Sequence, residues 1–128
     1  MKGSTVLVAA SLASILLLTL HITDDIVRGI SKAESSKIAL AVLVVFLYGT
    51  LALGKRRAGQ VIMFLVGVFA AAMPIIHMGG SRYPEIARSP GGFFFVWTLW
   101  ALGGTGGLTV VLAVREMWNG AVTRHGAG

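Results

Sequence analysis

The chain has 128 residues, 55% of them hydrophobic and only 12% charged, with a mean hydropathy of +0.82. A soluble domain carries about 25% charged residues, so this composition excludes a water-soluble globule and fits one compact bundle in a bilayer. The lack of cysteine rules out disulfides, thiolate metal sites and thiol redox chemistry, and the net charge of +6 comes from basic residues flanking apolar runs, a membrane-protein habit and not a nucleic-acid-binding stripe.

Four apolar segments follow one another. Segment one runs from about Thr5 to His21, and segment two from about Ile38 to Gly54. Segment three runs from about Gly59 to Met78, and segment four from about Gly92 to Val114. Each is close to the ~20 residues that cross a hydrocarbon core as a helix. Segment one has no Ala-x-Ala exit and is followed by further spans, so it reads as an uncleaved helix and not as a secretory signal. Ser35 or Ser36 is expected to cap segment two, with Ser31-Lys-Ala-Glu34 as a capping-box match. Ser89-Pro90 reads as the start of segment four, with Ser as cap and Pro at the first helical position. Pro74 should kink segment three, and the tail from Asn119 onward, with His125, reads as frayed. The fold class expected is all-α, a single four-helix transmembrane bundle, up-down-up-down.

Charge placement suggests the orientation. Lys2, Lys55, Arg56, Arg57, Arg115 and Arg124 fall on one side with Glu116 as its acid. Arg28, Lys32, Lys37, Arg82 and Arg88 fall on the other with Asp24, Asp25, Glu34 and Glu85. The dense Lys-Arg-Arg cluster in the shortest loop places both termini in the cytoplasm.

A candidate site emerges from depth and face. His21 lies 16 residues after Thr5, and His77 lies 17 after Gln60. At about 1.5 Å per residue both reach roughly the same level, near the outer interface. Ser11, Ser14, Leu18, His21, Asp25 and Arg28 form one helical stripe, and Gln60, Met63, Gly67, Ala70, Pro74 and His77 form another. Small and polar stripes face other helices in membranes, so both histidines should point inward. His21, Asp24 and Asp25 have i, i+3 and i+4 spacing. With His77 they form a candidate ligand- or metal-binding group suited to a divalent metal such as zinc, nickel or iron. The same residues suit proton relay, and two facing histidines suit a non-covalent haem. The plainer alternative is that these are ordinary interfacial residues, with Asp24 or Asp25 paired to Arg28 or Arg82, or capping a short helix from Ile26.

Segment four carries Phe93, Phe94, Phe95, Trp97 and Trp100, read as an interfacial belt with Trp118 at the opposite end. Gly103 and Gly107 form a Gly-xxx-Gly pair, a helix interface within the bundle or with another subunit. No phosphate loop, nucleophile elbow or His-Glu-x-x-His helix is present. The expected function is therefore non-enzymatic: an accessory or interaction subunit, or a ligand-binding protein with an outward-facing His/Asp cluster. A small transporter or channel is the alternative, and a haem- or metal-bearing redox subunit is a third. Partners would be the bilayer, other membrane subunits or a second copy, with no nucleic acid.

Overall fold

The computed structural model describes residues 2–126, apart from the side chains of Lys2, Ala33 and Arg124. Met1, Ala127 and Gly128, the last two in the expected frayed tail, lie outside the described residues. The described secondary structure is all helical: α1 (Lys2–Val27), α2 (Ala33–Leu53), α3 (Arg57–Met78), α4 (Tyr83–Arg88) and α5 (Gly92–Gly126). Among the described residues, α1, α2, α3 and α5 are long and apolar enough to cross a membrane.

Several element ends differ from the sequence reading. The first helix does not stop at His21 but continues to Val27, because an Asp24–Arg28 ion pair at 2.7 Å supports its last turn. Gly29, at φ +66, then closes it. Its N–H bonds to the Ile26 carbonyl and the Ile30 N–H to the Asp25 carbonyl, the paired pattern that a left-handed glycine makes possible at a helix end. Asp24 and Asp25 are thus helical residues and not caps of a later helix. Neither Ser35 nor Ser36 caps α2, and the capping box does not form. Lys32 is the N-cap and makes no side-chain cap bond, while the Ser36 hydroxyl donates back to the Lys32 carbonyl.

Ser89 ends α4 instead of starting α5. A Pro90-Gly91 turn, with Gly91 at φ +75, precedes the first helical residue Gly92. The last helix passes Val114 and remains helical to Gly126. Its extra turns pack beside the start of α1, where a side chain at Gly3 would strike the Glu116 carboxylate.

The core is built by α1, α3 and α5, with α3 and α5 in the most extensive contact. Leu7 near the start of α1 meets Met63 near the start of α3 and Ala113 late in α5. Toward the other end, Leu18, Ala70 and Leu102 form a second buried layer. The buried positions of α5 (Gly92, Phe95, Thr98, Leu99, Leu102, Gly106, Thr109 and Ala113) advance by steps of three or four, apart from the adjacent pair Thr98 and Leu99. That spacing keeps one stripe on the inside. Between the apolar layers lie buried hydroxyl pairs, Ser11 with Thr50 at 2.8 Å and Ser14 with Thr109 at 3.2 Å. Helix α2 is peripheral. It inserts Phe46 beside Ile15 and Val66 and leaves Ile38, Leu40, Val44, Val45, Leu47 and Leu51 exposed.

The close approach of α3 and α5 uses other glycines than the pair singled out from the sequence. A Cβ at Gly106 would lie 2.5 Å from the Ala71 amide nitrogen, and one at Gly67 would lie 2.8 Å from the Gly106 carbonyl oxygen. Gly103 faces Pro74 of α3, where a Cβ would sit 3.2 Å from the ring, and Gly107 has open space around it. The run of glycines left the register ambiguous. The α5 stripe fixes it one residue away, because Leu102 and Thr109 on the same stripe point inward.

Candidate metal centre

The structure brings His21, Asp25 and His77 together and leaves Asp24 aside. One ligand atom from each of the three lies within 4.8 Å of the others. The i, i+4 spacing stacks His21 and Asp25 on the inner face of α1, and the Gly29 turn fixes the backbone just beyond Asp25. His77, near the end of α3, reaches across. Its Nε2 is 3.1 Å from Asp25 Oδ2, and the His21 Nε2 is 3.8 Å from Asp25 Oδ1. His21 is fully buried and Asp25 is 5% exposed, whereas the His77 side chain is 17% exposed. Entry to the cluster is therefore from the His77 side.

Asp24, one residue earlier, turns outward and binds Arg28. Arg28 also donates to the Ser89 hydroxyl at 2.8 Å and lies over the Phe95 ring at 5.8 Å. It ties the end of α1 to the α4–α5 turn. Arg82 does not pair with either aspartate; it lines a cleft of about 210 Å³ with Arg28, Glu85 and Ser89.

Two residues essential to this arrangement were not singled out as site residues. Thr98 is buried, and its hydroxyl lies 3.0 Å from His21 Nδ1. Phe95, grouped with the interfacial belt from the sequence, is 1% exposed while Phe93, Trp97 and Trp100 are well exposed. Its ring is 5.1 Å from that of His21 and 5.9 Å from that of His77, forming an apolar wall. The α5 stripe spacing was the available signal for both.

Hydrogen bonding bears on where the imidazole protons sit. The Thr98 hydroxyl lies 2.9 Å from the Phe95 carbonyl and 3.0 Å from His21 Nδ1; with its proton directed at the carbonyl, Thr98 accepts from His21 and the His21 proton is on Nδ1. Likewise His77 Nδ1 faces the Met73 carbonyl at 3.1 Å, an acceptor only, so Nδ1 carries a proton there too. In their neutral forms both histidines then present a bare Nε2 lone pair to the Asp25 carboxylate, and acceptor faces acceptor. Among the described residues, His21 Nε2 and Asp25 Oδ1 are buried without a hydrogen-bond partner. Such groups are costly to bury, about 1–3 kcal/mol each, unless a proton donor or a cation lies between them.

The donor set fits a metal ion. Zinc binds histidine nitrogen and carboxylate oxygen at about 2.0–2.2 Å, which puts neighbouring tetrahedral ligands about 3.3 Å apart. The separations of 3.1 Å to Asp25 Oδ2 and 3.8 Å to Asp25 Oδ1 fall on either side of that value, and with the three ligand atoms within 4.8 Å of one another the set would contract slightly around an ion. The Nδ1 hydrogen bonds to Thr98 and Met73 are the outer contacts that usually orient metal-binding histidines. A haem does not fit. The two imidazoles meet edge to face with centroids 4.8 Å apart and Phe95 against both, leaving no slot for a macrocycle between them.

Comparison of the chain with protein-family models, with curated proteins and with solved structures finds no match in any of the three.

Proposed function

We propose that this chain is a four-span integral membrane protein, up-down-up-down with both termini cytoplasmic, whose working part is a buried cation-holding site formed by His21, Asp25 and His77. It acts by binding and not by catalysis. The observation that carries this reading is the convergence of three acceptor groups with two of their atoms buried and unpaired. A positive charge, delivered as a proton or a metal ion, turns that arrangement from costly to favourable. The apolar length of the four helices supports the membrane assignment, and the Lys55-Arg56-Arg57 turn supports the orientation.

A transport role is the weaker reading. The Leu18, Ala70 and Leu102 layer lies directly beneath the cluster and separates it from the hydroxyl pairs deeper in the bundle. A cleft of about 500 Å³ beside Thr50, Lys55 and Arg56 opens at the opposite end, with that layer in between.

Imidazole nitrogen chemical shifts of histidine-labelled protein in detergent micelles test the site. Nε2 signals of His21 and His77 that report protonation or metal coordination support it. Nε2 signals that show neither would refute it. The absence of native cysteine makes the topology equally testable. Single cysteines at Lys55 and Ser81 should react from opposite sides of a sealed vesicle with an impermeant maleimide. Labelling of both from one side would overturn the up-down arrangement.

A further inference from the structure

We infer that the positive charge is a divalent transition metal of the zinc class, held by His21 Nε2, Asp25 and His77 Nε2, with one position left open toward the exposed edge of His77. This rests on the cation-holding reading and goes further by choosing between the two cations.

Protonation satisfies the cluster poorly. A proton on His77 Nε2 makes a good bond to Asp25 Oδ2 at 3.1 Å. It leaves His21 Nε2 and Asp25 Oδ1 facing each other at 3.8 Å, both buried. A second proton on His21 cannot bridge 3.8 Å as a hydrogen bond. It would also place two imidazolium rings with centroids 4.8 Å apart inside the bundle. One divalent ion serves all three groups at once, because it accepts lone pairs from both Nε2 atoms and from the carboxylate.

The ligand chemistry narrows the choice of ion. Two imidazoles and one carboxylate are borderline donors, suited to zinc, cobalt, nickel or ferrous iron and poorly suited to calcium or magnesium, which prefer all-oxygen shells. Three protein ligands with a further position free is the arrangement of an open zinc site, whereas a purely structural site is closed by four. Phe95 shields the inner side, and the partial exposure of His77 leaves the outer side for an exchangeable ligand. With the Nδ1 protons directed to Thr98 and to the Met73 carbonyl, both Nε2 lone pairs are free to bind.

The test is titration of detergent-purified full-length protein with Zn²⁺, followed by metal analysis after desalting, and with Co²⁺, whose visible bands report tetrahedral coordination. The expected result is one metal per chain, lost in His77→Ala and in Asp25→Asn, and retained in Asp24→Asn. Should Asp25→Asn fail to fold, His77→Ala, at the exposed edge, carries the same expectation. Wild-type protein that takes up no metal while nitrogen shifts show a protonated His77 Nε2 would overturn the metal assignment and leave the cation-holding reading intact. Metal uptake that survives His77→Ala and Asp25→Asn would also overturn it, and would assign the binding to groups outside the cluster. Failure of both metal uptake and any Nε2 protonation would remove the two readings together.

Discussion

Thr98→Val tests the hydrogen-bond logic of the site most directly. Valine matches threonine in shape but cannot accept from His21 Nδ1, which lies 3.0 Å from the hydroxyl. Two outcomes are open to the imidazole, and both harm metal binding. If the proton stays on Nδ1, it is buried without an acceptor, which costs about 1–3 kcal/mol of stability. If it moves to Nε2, it can turn toward Asp25 Oδ1, and the lone pair that would bind metal is lost. Removing an outer-shell partner of this kind typically lowers metal affinity about 10- to 100-fold, equivalent to about 1.4–2.7 kcal/mol. Zinc titration of Thr98→Val and Thr98→Ser beside wild type reads the effect, with helical content checked by circular dichroism. Serine restores the acceptor, so it should recover most of the affinity. Equal losses for valine and serine, or no loss for either, would refute the assignment of the His21 proton.

Other expectations follow from the same geometry. Acidification to about pH 5, well below the ordinary histidine value, should release bound metal because protons compete for both Nε2 atoms; dialysis at stepped pH with metal analysis checks it. Arg28→Gln removes a largely buried pair with Asp24 together with the bond to Ser89 and should lower stability by about 1–3 kcal/mol, with zinc affinity unchanged in the same titration. Gly106→Ala should force α3 and α5 apart and destabilise the bundle by about 1–3 kcal/mol. Gly107→Ala, with open space around it, should be neutral or stabilising by up to about 1 kcal/mol; denaturant unfolding in micelles compares the two. A Gly107→Ala variant that lost a co-purifying partner or a homo-oligomer would instead assign that face to association between chains.

The site was partly legible in the sequence, and the reason differs residue by residue. His21 and His77 could be paired because depth is a matter of counting along a helix, and their faces could be read because small and polar residues mark the inner stripes. Asp25 already fell on the His21 stripe in the sequence, whereas Asp24 was kept beside it because i+3 spacing also lies within one helical turn. Once Gly29 is recognised as the helix terminator, the i+4 residue stays on the inner stripe and the i+3 residue turns toward Arg28. Phe95 and Thr98 escaped for a different reason. Their part in the cluster depends on α5 crossing beside α1 and α3, a tertiary fact that no local pattern states. The exposed Phe93, Trp97 and Trp100 around Phe95 also disguised a buried wall as a belt. The glycine run of α5 was recognised as a packing surface, but four glycines within five residues carry too little side-chain information to fix which of them points at α3.

The buried layer of Leu18, Ala70 and Leu102 has an electrical consequence. With the bundle in a bilayer as proposed, an ion reaching His21 would enter and leave from one end only, and it would stop before the main fall of the transmembrane voltage. Its occupancy should then follow the metal and proton concentrations of a single compartment. The membrane potential, which does work in proportion to the fraction of the field crossed, would have little hold on it. Under the proposed reading such a centre would sample one side of the membrane, and its occupancy would be the same whether the membrane is energised or not.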